Sequence, residues 1–321
     1  MIELRLSVAD LASTRFAISP LWEVTASVRV LRAPGEHALH RRWVRAVRDR
    51  LRGIDLRPLL ELIPANSPGL PAFLAPPPAT STPDIATELA AMRTLDHDRI
   101  RSGLDMLAPT PAIERFSDDP DTGLDRLAAA VEAYWETALA PWWPRIRTLC
   151  EHDLRHRSRL LAEGGAQRLF ADLSPRIAWD AAGVLRIDSG WSIDATLGGR
   201  GLLLVPTVFG GDRVHSVVAE PWQPTVRYSP RGLGLLWRRD DPQAAPGLAG
   251  VLGPTRSALL AALAEPADTG ELADRCGLSA GGVSQQLQLL FRAGLVTRHR
   301  AGRRVLYSRT LAAEALLAAA A

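Results

Sequence analysis

The residues best suited to chemistry lie near the end of the chain, between Ser279 and Ser308. Ser279 and Ala280 open a segment in which Gly281, Ser284, Gln285, Gln288 and Arg292 recur at helical spacing. Projected at 100° per residue, Gly281, Ser284, Gln285, Gln288 and Arg292 fall on the side opposite Val283, Leu287 and Leu290. The outer side is short-armed, rich in hydrogen-bonding groups, and ends in a cation. Glutamine can bond adenine bidentately and serine accepts several base edges, so this face suits the major groove of a duplex. Arg298, Arg300, Arg303 and Arg304 follow within twelve residues. Guanidinium groups there can pair with phosphates or enter a minor groove.

Other constellations carry less. Cys150, His152 and His156 have metal-like spacing, with the two histidines at i, i+4. They stand among Glu151, Asp153, Arg155, Arg157 and Arg159, as on a solvated helix face, so no metal is expected. Gly190-Trp191-Ser192 lacks the second glycine of a nucleophile elbow. The glycines at 198, 199 and 201 lack the spacing of a dinucleotide loop. No catalytic set and no cofactor is expected. The nine tryptophans are read as core, with some able to line a ligand cavity.

The elements that must position the first group can be read in order. A helix follows Thr255 as its cap, a second follows Thr269 with Glu271 in its first turn, and Gly277 supplies a tight turn. Ser279 caps a third helix over 280–292, which Ala293 and Gly294 stop. A hairpin over 295–308 turns about Ala301 and Gly302. Helix, helix, turn, helix, hairpin is the layout of a winged helix-turn-helix. Gly281 and Gly282 in the first turn of the third helix each cost up to ~1 kcal/mol against alanine.

Charge agrees with this placement. All 38 basic residues besides histidine are arginine, and the formal net charge is +3. Residues 256–321 hold eight arginines and five acids, while residues 1–255 balance at thirty of each. From Arg292 to Arg309 there are six arginines and no acid, where a polyanion would be drawn first.

This stretch closely resembles the ArsR-type winged helix family over about 70 residues. The resemblance is carried by Glu271-Leu272-Ala273, Leu278-Ser279, Val283-Ser284, Gln286-Leu287, Leu290, Ala293-Gly294-Leu295-Val296, Gly302-Arg303 and Leu306-Tyr307-Ser308. It implies a homodimer that binds an operator, usually as a repressor that releases DNA on signal. It also implies that the dimer uses the first and last helices of the module, here about Thr255–Leu263 and Leu311–Ala320. Gln286 and Gln288 depart from the histidine and lysine common in the family. Ala273 and Asp274, with a lone Cys276, replace the Cys-x-Cys pair of its metal sensors.

The first three quarters read as a mostly helical α+β domain, residues 1–245, with the winged helix at 250–321. Residues 2–8 alternate like a strand, and helical patterns cover 20–31, 37–52, 84–107, 122–139 and 142–173. Seven prolines between 64 and 83 rule out helix or inner strand there. From 184 to 229 five short alternating segments, broken by glycine turns, predict a small antiparallel β-meander. Ser19-Pro20-Leu21-Trp22-Glu23, the stretch 71–77, and Ala140-Pro141-Trp142-Trp143-Pro144 loosely resemble an uncharacterised domain often fused before ArsR-type modules.

Two cysteines cannot build a disulfide framework, the N-terminus has no apolar signal core, and no apolar run reaches membrane-spanning length. The expectation is a cytoplasmic, homodimeric, DNA-binding transcriptional repressor with no membrane partner. Its N-terminal domain would serve as scaffold or as sensor of a small-molecule effector. The alternatives are an enzyme acting on a small molecule, or a protein-contact adaptor whose winged helix never touches DNA.

Overall fold

The computed structural model describes residues 1–64, 69–180, 182–237, 246–264, 266–301 and 304–319. The chain divides into two compact units, Met1–Arg238 and Arg239–Ala321.

The first unit is α+β. Its helices are α1 (Val8–Ala12), α2 (Pro20–Arg32), α3 (Arg41–Arg48), α4 (Arg57–Leu62), α5 (Ile85–Arg93), α6 (His97–Leu104), α7 (Pro111–Asp118), α8 (Pro120–Tyr134) and α9 (Trp143–Ala171). Caps explain most starts. Ser19, Asp84, Asp96, Thr110 and Asp119 each accept a hydrogen bond from a first-turn N–H, and proline occupies the first turn of α2, α4, α7, α8 and α9. The pattern expected over 84–107 is split, because Asp96 caps a new helix three residues after α5 ends. The proline-rich stretch carries only a short 3-10 turn, Ala72–Leu74, whose Phe73 and Leu74 are buried.

Every strand expected between 184 and 229 forms, but the five are shared between two sheets, each of which recruits a strand from the N-terminus. The first sheet has the order β3 (Ile177–Asp180), β4 (Val184–Ile187), β1 (Ile2–Arg5), β5 (Ile193–Thr196). β1 runs antiparallel to β4 and parallel to β5. Its Ile2 and Leu4 are buried, whereas Glu3 on the other face holds Arg186 at 3.1 Å. The second sheet has the order β2 (Arg15–Phe16), β6 (Leu203–Pro206), β8 (Thr225–Tyr228), β7 (His215–Val217). β6 and β8 are parallel and buried along their whole length. Strands covered on both faces lose the two-residue alternation and pair by crossover.

Helix α9 contributes to two hydrophobic cores. Ile146 and Cys150 belong to the large helical core, and Leu169 and Phe170 pack with the first sheet. Between them Gly164 and Gly165 leave helical geometry, Gly165 with φ 62°, a conformation open to glycine.

A polar network stitches α2 into this unit. Ser19 caps α2 and donates to Glu88 at 2.7 Å; Glu88 also accepts from the Leu21 N–H at 2.7 Å. Glu23 accepts from the Val208 and Phe209 N–H groups at 2.6 and 3.1 Å, and the Trp22 indole donates to Thr207. The buried Arg227 lies 4.2 Å over the Trp22 ring and donates to the Ala75 carbonyl. Among the described residues no helix is long and apolar enough to cross a membrane.

Burial drives the Glu23 and Glu88 carboxyls up to about 7, against the pull of the N–H groups they accept. Burial also holds His40 and His215 down at about 4. A raised carboxyl stabilises below its ordinary range and loses that stabilisation as pH climbs through its folded pKa. A depressed histidine does the reverse below 6.5. Between about 4.5 and 7 the carboxyls therefore oppose the histidines, His37 and His156 included, which burial also depresses. Urea unfolding followed from about pH 4.5 to 7 should show Glu23→Gln losing less stability, or gaining more, than the wild type over that interval, because the variant lacks one raised carboxyl.

Candidate nucleic-acid interface

The second unit begins with α10 (Pro246–Leu252) and α11 (Pro254–Ala262). Thr255 does not cap α11; Gly253 precedes it and Pro254 opens it without a side-chain cap. Then come α12 (Thr269–Cys276), α13 (Ala280–Arg292), β9 (Val296–Ala301), β10 (Arg304–Arg309) and α14 (Leu311–Ala319). The cap of α12 is Asp268, one residue before the expected Thr269. Its carboxylate accepts from the Glu271 N–H at 2.9 Å, and Glu271 returns a bond to the Asp268 N–H at 3.1 Å, a reciprocal capping box.

The turn between α12 and α13 is three residues long. Gly277 takes φ 64°, ψ 35°, and the Leu278 N–H bonds back to the Ala273 carbonyl at 2.9 Å. This is a left-handed helix stop that a side chain would strain. Ser279 then caps α13, accepting from the Gly282 N–H at 3.2 Å. Val283, Leu287 and Leu290 are fully buried against Leu259, Leu260, Leu263, Leu272 and Val296. That packing fixes the rotation of α13 about its axis.

The outer face emerges where the spacing placed it. Ser279, Ala280, Gly281, Gln285, Gln288 and Arg292 are exposed, and Ser284 is half-buried. A Cβ added at Gly281 would meet nothing, so packing does not demand glycine there.

The hairpin pairs Arg304 with Ala301 and Tyr307 with Arg298, one residue later than expected. Arg298 is exposed and lies 4.7 Å over the Phe291 ring, beside the C-terminal turn of α13. Arg292 stands next to that ring in sequence, so two cations gather at this end of the helix. Arg300 and Arg304 lie on β9 and β10, with their side chains outside what is described; Arg303 lies outside the described residues.

One arginine of the basic run has a different job. Arg309 turns inward and donates to the carbonyls of Leu260, at 2.6 Å, and Ala261. Those carbonyls belong to the last turn of α11, where a cation also opposes the helix dipole favourably. Residue type and spacing did not separate Arg309 from its neighbours. Phe291, the platform for Arg298, was also missed; its one signal is an aromatic residue off the apolar stripe of α13.

The other sequence candidates do not converge. Cys150 is buried, its thiol pushed up by burial, while His152 is exposed. His156 is taken up by Arg231 at 2.6 Å and Asp172 at 3.4 Å.

With this geometry in hand, the comparisons with known proteins are specific at one end. Residues 251–299 match a helix-turn-helix domain family. Residues 108–232 match a family of unknown function, DUF5937. No curated protein and no solved structure matches the chain. The helix-turn-helix therefore spans α11, α12, α13 and the start of β9.

Removing a capping side chain typically costs about 1 kcal/mol, so Asp268→Ala should lower the denaturant midpoint of the C-terminal unit. Arg309→Ala should do likewise, because it strands the Leu260 and Ala261 carbonyls. Hydrogen exchange should localise both losses to the α11–α12 region and leave the N-terminal unit unchanged.

Proposed function

We propose that this protein is a DNA-binding transcriptional regulator, acting as a repressor by occupying its operator rather than by catalysis. The observation that carries this reading is an exposed short-armed face on the second helix of a helix-turn-helix, with Arg292 and Arg298 gathered at its end. In this reading α13 lies in the major groove, with Ser284, Gln285 and Gln288 toward base edges. Ser279, Ala280 and Gly281 sit at the phosphate rim, where the N–H groups of a helix start suit an anion. The hairpin of β9 and β10 lays Arg298, Arg300 and Arg304 along the backbone, which supplies affinity and register without sequence choice.

We propose further that the active species is a homodimer. Leu316, on α14, is 39 % exposed and Val251, on α10, 80 % exposed. Apolar groups at these positions suit packing between two copies. The operator would then be an imperfect inverted repeat, with half-sites about one helical turn apart. The N-terminal unit would act as scaffold or as receptor for a small-molecule effector.

Selection of bound duplexes from a random pool, followed by footprinting, tests this reading. A site with two-fold character is expected, and one without it overturns the dimer geometry. Replacing Arg303 and Arg304 with alanine should weaken binding to all sequences and lower the salt slope by up to about two per protomer. Gln285→Ala should change base preference instead. Gly281→Ala separates fold from function. It should raise stability by up to ~1 kcal/mol because its Cβ meets no atom of the protein. It should lower DNA affinity because that Cβ projects from the reading face.

A further inference from the structure

The N-terminal unit carries a row of arginines that overall charge conceals. Residues 41–52 hold six arginines and one acid, Asp49, inside a region whose formal charge sums to zero. On α3 and the 3-10 turn after it (Arg50–Gly53), Trp43, Val44, Val47 and Leu51 are buried, and every arginine is exposed. Arg41, Arg45 and Arg48 lie at i, i+4, i+7, within about 40° of one line along the helix. Arg42 is tied to the Trp237 carbonyl at 2.6 Å, and Arg52 to Asp49 at 2.8 Å. Among the described residues no carboxylate pairs with Arg41, Arg45, Arg48 or Arg50.

At the start of α3 this placement works against the helix, although Arg45 and Arg48 in the last turn suit its dipole. Arg41 and Arg42 occupy the first turn, where the positive end of the helix dipole disfavours cations. Arg41 with Arg45, and Arg45 with Arg48, are like charges at neighbouring helical positions, which destabilise each other. The N-terminus has neither an acidic residue nor a side-chain cap. What holds the segment is its inner face. The Trp43 indole donates to the Ala138 carbonyl at 2.9 Å and its ring packs 4.6 Å from Phe209. Just before α3, buried His40 accepts from the Trp237 indole at 3.1 Å. The cations are therefore mounted on an anchored support. Arg41, Arg42 and Arg45 also line an open concavity with Ala38, Leu39 and Ala46.

We propose that this row binds the phosphate backbone of double-stranded DNA as a second contact, outside the helix-turn-helix. The inference rests on the DNA-binding reading of the C-terminal unit. A duplex presents one charge per about 1.7 Å of axis, and a row spanning about 10 Å of helix, from Arg41 to Arg48, fits such a rigid polyanion. A neighbouring phosphate relieves both the mutual repulsion and the conflict with the dipole, and guanidinium forks match its oxygens. A lipid surface fits less well. Helices that lie on membranes expose an apolar face, whereas that of α3 is turned into the core.

The test uses the full chain with Arg41, Arg45 and Arg48 all changed to alanine, on a duplex longer than the operator footprint. Three lost phosphate contacts lower the salt slope by about 2.7 per protomer, so affinity lost between 50 and 200 mM salt shrinks about 40-fold. The ratio of operator to random-duplex affinity stays unchanged. Lysine at the three positions retains the slope. Arg155→Ala with Arg159→Ala, two exposed arginines of α9, controls for charge removed elsewhere and leaves the slope near wild type. Thermal melting confirms that each variant is folded.

An unchanged slope in the triple alanine variant, with operator preference intact, overturns the second contact alone. Duplex binding without sequence preference, but with the slope still lowered, retains the second contact and overturns the operator reading. Loss of binding to polyglutamate or to anionic vesicles, with duplex binding unaffected, assigns the row to an acidic protein or a membrane and overturns the proposal.

Discussion

The candidate interface depends on how β10 is held. Tyr307 and Ala267 exchange two backbone hydrogen bonds, 3.1 and 2.9 Å, which join the hairpin to the segment between α11 and α12. The Tyr307 side chain is buried in the same core as Val283, Leu287 and Leu290. Two residues on, Arg309 clasps the last carbonyls of α11. A two-stranded hairpin alone is marginal in water. Clamped at Tyr307 and Arg309, its base becomes part of the three-helix core. The exposed face of α13 and the cation of Arg298 then keep one spacing, as contact with a periodic polymer requires.

The N-terminal unit solves a related problem by burying charge. Glu23, Glu88 and Arg227 sit inside, each with hydrogen-bonding partners drawn from other elements. Burying ionisable groups costs more than packing hydrocarbon, and breaking such a set costs more still. The set therefore specifies where α2 starts relative to the loop after β6 and to α5, a geometry that apolar packing alone leaves loose. On the far side, Asp153 of α9 receives the Tyr228 hydroxyl at 2.7 Å and the Arg231 N–H at 3.1 Å, which holds β8 to the long helix.

Much of the C-terminal unit was legible because its signals are local. Periodicity assigned Val283, Leu287 and Leu290 to the inside, and Ser279 as a cap needs only three following residues. Misreadings there were small: Asp268 caps in place of Thr269, the hairpin register is later by one, and Thr255 does not cap α11, which starts without a side-chain cap. Arg309 was illegible, because whether an arginine meets water or a helix end is decided by chain 48 and 49 residues away, brought close by the fold's closure rather than by sequence. In the N-terminal unit the positions of the strands were readable but their partners were not. β1 enters between β4 and β5, nearly two hundred residues later, and no alternation in a strand records its neighbour. The arginine row of α3 escaped notice because a charge sum over 255 residues averages away a cluster of twelve.

The pair of glycines within α9 has a consequence for how this unit tolerates change. An unbroken helix couples the direction of every side chain to the count of residues before it, so Phe170 would be oriented by Cys150. Gly164 and Gly165 cancel that bookkeeping. The two hydrophobic cores can drift apart in composition, each keeping its own angular setting, with one shared rod threaded through both.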